Sequence, residues 1–404
     1  FRAICYFELT TFWGTPPLVD RVLKNSEEYK VPNSTAEQLW KFMETDLTEA
    51  ITSGKLTSKT SLEDRDGGTR ATLEAARCLL GKIYLYQEKY TDAKSELEKV
   101  ISSGKYDLIA DVSTFYHPAS AGCKEYVLEC VRHYDPSNMY SQEGWFGILA
   151  NWGFGYGFIA GPEASMHYKF NTTSGYSYFN PSKSLYDAFV AEEGADGYRL
   201  NAWIRTWEQV IAMNIAVNTT TNKYASEGYF RLKWLASTDD EFVGYWCGNQ
   251  SNTPVIRYAD VLLMAAEACL QAGDQAGADE YLGRVRDRAR LPRKSHVTLS
   301  DIKLERRLEL AMEGMRFQDL KRWGDAPAVL ADKGKKLPTF QIVPDPNNDL
   351  TTAAGIYNAR YTTKTTYVDN EKSLAGWTPN RDEWLPFPEN ELEVNSNLKQ
   401  NPGY

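Results

Sequence analysis

Three glutamates near residue 309 are spaced so that they could carry out chemistry together. Glu305, Glu309 and Glu313 follow each other at intervals of four residues, which on an α-helix places neighbouring Cβ atoms about 5–6 Å apart along one face. That separation is close to the carboxyl spacing of retaining glycosidases. The same row could instead supply half of a metal site, or it could form ion pairs that hold helices together.

Four arginines in the same segment favour the ion-pair interpretation. Positive charges stabilise ionised carboxylates, whereas a general acid needs a raised pKa. On an isolated helix the three glutamates would also repel one another. We therefore predict that each glutamate meets an arginine from a neighbouring turn or helix, and that these pairs lock two helical hairpins in register. The arginines of the segment are Arg306, Arg307, Arg316 and Arg322.

A row of aromatic residues within residues 143–161 is a stronger candidate for ligand binding. Trp152, Phe154, Tyr156 and Phe158 alternate with glycines, so an extended backbone would place all four rings on one face. Neighbouring rings would then lie about 6.6 Å apart, two residues at the rise of a strand, which is comparable to the width of a sugar ring. Such rings can stack on the C–H faces of sugars, but they could also pack into the core.

Further candidates for ligand binding lie outside the aromatic row. Tyr176 and Tyr178 belong to the turn-rich stretch "NTTSGYSYFN", and loops often carry binding residues. Trp246 precedes the third helical hairpin and could face either a ligand or the core. Asn151 offers an amide group that can recognise hydroxyls. The complete predicted ligand-binding set is Trp145, Asn151, Trp152, Tyr156, Tyr176, Tyr178 and Trp246.

Composition excludes several classes of protein. The chain has 404 residues, 42% hydrophobic and 25% charged, which is ordinary for a soluble globular protein. Its net charge of −9 disfavours binding to nucleic acid or to anionic lipid, and no apolar run reaches the ~20 residues of a membrane helix.

The cysteines and histidines indicate no metal site, cofactor site or catalytic residue. The six cysteines contain no CxxC motif, and the four histidines lie outside any triad motif. Cys123 and Cys130 could pair or remain free.

Two segments repeat one helical pattern. Gly81 and Ala93 stand twelve residues apart, and so do Ala266 and Ala278. Each segment reads as a helix, a short polar turn and a second helix, with small residues where the helices cross. This is the pattern of tetratricopeptide-type hairpins.

Weaker copies of the hairpin flank these two. One pairs residues 2–13 with residues 35–53, with Thr35 or Ser34 as the N-cap, and the other spans residues 299–323, with Ser300 as the N-cap. We predict a mainly α fold in which four tetratricopeptide-like helical hairpins form a scaffold. A loop-rich, partly β insertion is expected to carry the ligand site.

Four segments resemble the SusD/RagB family, in order along the chain. They are "FRAICYFELTTFWGTPPLVD" (1–20), "VIRYADVLLMAAEAC" (255–269), "ERRLELAMEGMRFQDLKRWG" (305–324) and the terminal "LPFPENELEVNSNLKQNPGY" (385–404). The resemblance implies a non-catalytic lipoprotein on the extracellular face of the outer membrane of Bacteroidetes. It implies that the protein captures glycans, or peptides in the RagB branch, and passes them to a SusC-like, TonB-dependent transporter.

The resemblance also implies one SusD-like domain over residues 1–404. Within it we expect two helical hairpins in 1–104, the ligand-binding insertion in 105–253, two more hairpins in 254–325 and a loop-rich segment in 326–404. Because residue 1 reads as the middle of a helix without a cap, we expect the signal peptide and the lipidated cysteine of the family upstream of it. Membrane association would then depend on that anchor alone.

Two other functions stay open on the sequence. A RagB-like peptide-binding protein should have a deeper pocket with fewer rings around it. A tetratricopeptide-type interaction scaffold without a small ligand would use only the surfaces of its hairpins. Both would be compatible with the helical repeats, and the aromatic row favours the glycan.

Overall fold

The protein is mostly helical, as predicted. The computed structural model describes residues 1–131, 180–206, 208–209, 223–224, 227–233, 252–347, 361–371 and 375–404. Among these residues, no helix has both the length and the apolar character needed to cross a membrane. The described helices are α1 (Arg2–Trp13), α2 (Ala36–Thr52), α3 (Leu73–Tyr86), α4 (Tyr90–Ser102), α5 (Lys183–Glu193), α6 (Tyr198–Trp203), α7 (Tyr258–Gln271), α8 (Gln275–Arg288), α9 (Leu299–Glu309), α10 (Arg316–Arg322), α11 (Ala326–Val329) and α12 (Glu389–Val394).

The long helices pack against one another nearly in chain order. Helix α1 packs on α2, α2 on α3 and α3 on α4, while α7 contacts α4, α8 and α9. At the crossing of α3 and α4, a Cβ added to Gly81 would lie 2.7 Å from Leu97 Cγ, so only glycine permits this approach. Ala93, Ala266 and Ala278 are fully buried. Gly81 therefore lies at the contact between α3 and α4, and the other three small residues of the repeat are buried.

Two helix starts show how well capping can be predicted. Thr35 caps α2 as expected, and it forms a capping box with Gln38. The prediction of Ser300 for α9 was wrong, because Thr298 has the extended backbone of an N-cap and its side chain accepts from Asp301 N. Ser300 already lies within the first turn of that helix. Threonine and serine are both common N-cap residues, so Thr298 and Ser300 are both candidates on residue type. The reciprocal hydrogen bonds between Thr298 and Asp301 identify Thr298 as the cap.

The strands form three small antiparallel sheets. Strand β1 pairs with β5, β2 with β4, and β6 lies between β3 and β7. The alternating stretch "EYVLECVRHY" (125–134) has a pattern that suits a strand, and its described part contains β1. The strands are β1 (Tyr126–Cys130), β2 (Ile204–Thr206), β3 (Lys223–Tyr224), β4 (Tyr229–Arg231), β5 (Thr253–Arg257), β6 (Lys336–Pro344) and β7 (Tyr361–Asp369).

The segment that contains Trp203 differs from the helix that its spacing to Trp207 indicates. Helix α6 ends at Trp203 and the chain continues directly as strand β2. Trp203 is buried, and its indole Nε1 donates to Val112 O at 3.1 Å. Trp207 lies outside the described residues. Two tryptophans four residues apart would share one face of a helix. The same spacing also occurs where a helix ends and a strand follows, so the spacing alone does not identify a helix.

The two cysteines that could have formed a disulfide are both free. Cys123 is partly buried and Cys130 is exposed. Burial raises the pKa of Cys123 to about 11, which keeps its thiol protonated. Cys78 and Cys269 are buried free thiols, as their positions in apolar helices indicate.

The C-terminal segment closes over the end of helix α1. The buried Asn401 side chain donates to Trp13 O at 3.0 Å and to Leu385 O at 2.7 Å, and Leu385 N donates to Phe12 O at 2.8 Å. The terminal residues thus satisfy carbonyls at the C-terminal end of the first helix, which have no partner within the helix.

Replacing Asn401 with alanine should lower the free energy of unfolding by about 1–3 kcal/mol, because Leu385 O loses the Asn401 donor and Trp13 O keeps only the backbone N–H of Thr15. Urea denaturation followed by circular dichroism measures this. Asn397 is a matched control, since it also donates to a carbonyl, Lys30 O, but is exposed. Its alanine variant should lose much less, and equal losses for the two variants would contradict the account.

Candidate functional site

The predicted ligand-binding residues all lie outside the described residues. Six of them fall within residues 132–179 and the seventh falls within residues 234–251, so their placement stays a prediction. They are Trp145, Asn151, Trp152, Tyr156, Tyr176, Tyr178 and Trp246. The structure does describe the parts of the chain that enter and leave these segments, and these parts contribute buried charges such as Glu125, Arg199 and Arg257.

Strands β1 and β5 hold the two ends of the insertion side by side. Cys130, the last residue of β1, pairs with Thr253, the first residue of β5. Next to this pair, Glu129 is buried and accepts from Gly122 N at 2.9 Å and from Asn252 Nδ2 at 3.0 Å. We call this pair of strands the stem. The chain therefore leaves the scaffold and returns to it at the same place.

A cluster of five carboxylates and five cations lies at the end of the stem where Tyr126 pairs with Arg257. Every side chain in it is at most 8% exposed, so its charges must balance within the protein. The members come from the scaffold helices, the stem and the insertion. This ion cluster consists of Glu125, Glu193, Arg199, Lys233, Arg257, Arg286, Arg288, Glu305, Glu309 and Glu313.

Glu309 is the centre of the ion cluster. Its Oε2 accepts from Arg199 of α6 at 3.0 Å, and its Oε1 accepts from Arg257 of the stem at 3.1 Å and from Arg288 of α8. One carboxylate therefore joins the insertion, the stem and the third helical hairpin. This confirms the prediction that the glutamate row locks structural units together, and it extends the lock beyond two hairpins.

The other two glutamates of the row complete the lock. Glu305 accepts from Arg199 at 2.6 Å and from Arg286 at 3.0 Å. Glu313 accepts from Arg257 at 2.6 and 2.8 Å and from Lys233 at 2.5 Å. The lysine enters from the insertion, and it also donates to Glu309 O and Ala311 O.

The spacing alone predicted that the three glutamates lie on one helix. This prediction was wrong for Glu313. Helix α9 ends at Glu309, and Met312 and Gly314 then take positive φ angles of 65° and 83°. The left-handed backbone at these positions keeps the chain from continuing as a helix to Glu313. Glu313 still reaches the ion cluster because Arg257 binds it and Glu309 with the same guanidinium group.

The arginines next to the row in sequence are not its partners. Arg306 bonds Asp260 at 2.7 Å and Asp319 at 2.9 Å, and Arg322 bonds Asp319 and Glu267. They form a second buried network between α7, α9 and α10. On a helix, neighbours in sequence point to different sides, and this separates the two networks.

The electrostatics of Glu309 oppose acid catalysis. Burial alone would raise its pKa, but the positive charges of Arg288, Arg257 and Arg199 outweigh burial and hold the pKa at about 2. The attraction of Arg257 and Lys233 likewise outweighs burial and lowers the pKa of Glu313. Both groups are therefore ionised acceptors near neutral pH and cannot donate a proton to a leaving group.

The stabilising effect of Glu309 should disappear in acid. Its folded pKa of about 2 lies below its ordinary value of 4.5, so its ionised form stabilises the fold above about pH 4.5 and loses that effect as the pH falls towards 2. We expect the difference in unfolding free energy between the wild type and Glu309→Gln to be constant from pH 7 to 5 and to shrink below. Urea titrations at each pH measure this difference, and a difference independent of pH would contradict the assignment.

One further group of side chains has the spacing of metal ligands, but an ion pair occupies it. Glu98, Cys269 and Asp274 offer ligand atoms within 4.8 Å of one another. Lys94 Nζ lies 2.7 Å from Asp274, and burial followed by the charge of Glu98 raises the pKa of Cys269 to about 12. A protonated thiol beside an ammonium group does not favour a cation.

Sequence reasoning missed the cationic partners of the row. Arg199 lies 106 positions before Glu305, and no local pattern joins them. A signal was nevertheless present, because charged residues stand beside aromatic and aliphatic residues: Glu125 in "KEYVL", Arg199 in "YRLNAW" and Lys233 in "RLKWL". Charges in such places are rarely buried without a partner.

The comparisons with known proteins agree with the architecture. The sequence profile of the SusD family matches residues 124–404. A SusD-like protein from Bacteroides ovatus is 24% identical over 432 residues, covering 99% of this chain and 72% of the relative. A solved laminarin-binding SusD-like protein is 28% identical, with a TM-score of 0.75 over 100% of this chain and 77% of that one. Surface glycan-binding protein A from Bacteroides thetaiotaomicron is 25% identical, with a TM-score of 0.71 over 99% and 76%.

Proposed function

This chain belongs to the SusD family, and from this premise we propose that it is a non-catalytic binding protein that captures an oligosaccharide at the cell surface. The observation that carries the proposal is the likeness, over the whole chain, to a laminarin-binding SusD-like protein at 28% identity. We propose that the captured glycan passes to a SusC-like, TonB-dependent transporter, and that a lipid anchor holds the protein on the extracellular face of the outer membrane.

The aromatic row supports a sugar as the ligand. Four rings spaced by two residues suit successive sugar units, and rings bind sugars without needing a charge. Trp152 and Tyr156 are proposed as the main contacts, with Asn151 placed to bond hydroxyls. The relative named for laminarin binding is consistent with a neutral polymer as one class of ligand.

The ion cluster supports a binding protein over a hydrolase. The acidic row that could have formed a catalytic pair is buried, and its central member Glu309 is ionised and accepts hydrogen bonds on both oxygens. A glycosidase needs one carboxylic acid that is protonated near neutral pH and reaches the substrate. Glu309 and Glu313 meet neither requirement, so we assign the row to positioning the insertion.

The stem and the ion cluster give the binding segment a rigid base. The insertion is fixed at Cys130 and Thr253 by strand pairing, and at Arg199 and Lys233 by buried charge. Sites that are held by a rigid frame lose less conformational entropy when they bind. We therefore assign the frame a role in affinity, although its residues are too buried to touch a glycan.

Affinity electrophoresis in gels that contain single polysaccharides tests glycan capture. The proposal expects retarded migration in at least one polysaccharide, including a β-glucan such as laminarin, with no change in the length of the polysaccharide afterwards. Unchanged mobility in every gel would reject glycan capture. Shortening of the polysaccharide would reject the non-catalytic assignment.

The transporter partnership needs its own test. Co-expression with a SusC-like transporter from the same organism, followed by purification through a tag on that transporter, should recover both proteins in equal amounts. Recovery of the transporter alone, from membranes that contain both proteins, would reject delivery through a stable complex.

A further inference from the structure

Tyrosines from three distant elements of the chain are joined through one carboxylate, Glu227. Its Oε1 accepts from the Tyr367 hydroxyl of β7 at 2.6 Å, and its Oε2 accepts from Lys183 N, at the start of α5, at 2.5 Å. Glu227 lies two residues before Tyr229 of β4, and the Tyr229 ring stacks on the Tyr186 ring of α5 with the centroids 4.5 Å apart. We call Tyr186, Tyr229 and Tyr367, together with Glu227, the tyrosine cluster.

The packing of β6 and β7 places Tyr367 at the edge of a covered face. Pro338 pairs with Tyr367, and Phe340 pairs with Thr365, so these residues lie on one face of the hairpin. Phe340 is buried on that face against Gly228, where an added Cβ would lie 2.5 Å from the phenylalanine ring. Two residues along β7 from this contact, Tyr367 is 49% exposed. The hairpin is therefore held on the insertion, with an open aromatic ring beside the contact.

The exposed ring of Tyr367 is held by its hydroxyl. The hydrogen bond to Glu227 raises the pKa of Tyr367 to about 12, so the phenol keeps its proton near neutral pH. Glu227 is itself fixed by Lys183 N, and the Lys183 side chain pairs with Asp187 at 2.6 Å. A ring that is already oriented loses little conformational entropy when a ligand stacks on it.

The tyrosine cluster also has hydrogen-bonding capacity that the protein does not use. In the described parts of the chain, the hydroxyls of Tyr186 and Tyr229 have no hydrogen-bond partner, and both side chains are partly exposed. Each oxygen of Glu227 accepts one hydrogen bond there and has room for a second. Donors and an acceptor therefore lie around the rings, which suits a ligand whose groups both accept and donate.

We infer that the tyrosine cluster is a second contact site for the glycan and binds neutral sugar units outside the predicted aromatic row. The Tyr367 ring would stack on the C–H face of a sugar, and the sugar hydroxyls would bond to Glu227 and to the free phenols. Two carboxylates, Glu227 and Asp187, against the single Lys183 disfavour an acidic sugar. This inference rests on the proposed function and adds described residues to its binding surface.

Titration of matched tyrosine variants tests the inference. The probes are laminarihexaose and hexasaccharides prepared from any other polysaccharide that retards the wild type in affinity electrophoresis. They are titrated into the wild type, Tyr367→Ala, Tyr367→Phe and Tyr404→Ala, and the melting temperature of each variant is measured alongside. Tyr404 is the matched control, because it is 48% exposed and its hydroxyl is also bonded, to Trp384 O at 3.0 Å.

Tyr367→Ala should weaken binding of the best hexasaccharide about tenfold, as expected for the loss of one aromatic contact. Tyr367→Phe should lose less, since it keeps the ring and removes only the hydroxyl that orients it. Tyr404→Ala should bind like the wild type. In hydroxyl-radical footprinting of the wild type, followed by mass spectrometry, the bound hexasaccharide should protect Tyr367 from oxidation and leave Tyr404 as reactive as before.

Failure of the inference and failure of the proposed function give different results. If a hexasaccharide binds, but Tyr367 is not protected and Tyr367→Ala matches Tyr404→Ala, the inference is wrong and the proposed function holds. Weaker binding to Tyr367→Ala without protection of Tyr367 in the wild type would show that the ring only holds the hairpin, and this also overturns the inference. If no hexasaccharide binds the wild type, glycan capture and the second contact site are both rejected.

Discussion

Replacing Glu309 with alanine should lower the free energy of unfolding by about 3–5 kcal/mol, the usual cost of removing one partner from a buried ion pair. The substitution leaves Arg199, Arg257 and Arg288 without the acceptor that they share. The ion cluster would then hold five cations against four carboxylates, which leaves one positive charge uncompensated at low solvent exposure. Denaturation in urea at pH 7, followed by tryptophan fluorescence and by circular dichroism, measures the loss.

Glu280 provides the control for this prediction. It pairs with Arg293 at 2.7 Å, but the two side chains are 52% and 46% exposed. Exposed pairs contribute little because water and salt screen them, so Glu280→Ala should change the stability only slightly. If Glu309→Ala were as stable as Glu280→Ala, the ion cluster could not be what holds the insertion on the scaffold.

The double substitution Trp152→Ala and Tyr156→Ala should weaken glycan binding at least about 100-fold, because central aromatic contacts commonly contribute 2 kcal/mol or more each. Calorimetric titration with the best-binding oligosaccharide of the wild type measures the change. Association with the transporter should persist, since it does not require the rings.

Tyr29→Ala is the matched control for the aromatic substitutions. Tyr29 is 59% exposed on the N-terminal loop, far in sequence from the predicted row, so its removal should leave glycan binding intact. Binding that survives in the double variant would show that the row belongs to the core, which is the alternative its sequence left open.

The helical scaffold could be predicted because its signals are local. Gly81 and Ala93 mark the crossing of α3 and α4 by their own spacing, and Thr35 with Gln38 forms a complete capping box within four residues. Such patterns depend on contacts between positions that are close in the chain, and so they can be recognised without coordinates.

The ion cluster could be predicted only in part, because its contacts are distant in sequence. The row of Glu305, Glu309 and Glu313 correctly indicated buried ion pairs, but the nearby arginines were the wrong partners. Arg199 and Arg257 reach the row from 106 and 52 positions away. The packing of α6, α8 and the stem decides which cation binds which glutamate. Residue spacing within one segment cannot predict contacts between such distant parts of the chain.

Helix α9 ends earlier than the four-residue spacing of its glutamates predicts. The spacing of the glutamates continues to Glu313, yet Met312 adopts a left-handed backbone that a non-glycine residue seldom takes. The hydrogen bonds of Lys233 to Glu309 O and Ala311 O occupy carbonyls at this helix end. A tertiary contact from the insertion therefore contributes to where the helix stops.

Calorimetric titration of the wild-type protein with a panel of oligosaccharides and with peptides of similar length tests the central claim most directly. We predict saturable binding with one site per chain for at least one oligosaccharide, and no binding of the peptides. Saturable binding of a peptide, together with no heat from any oligosaccharide, would contradict the claim and assign the protein to peptide capture.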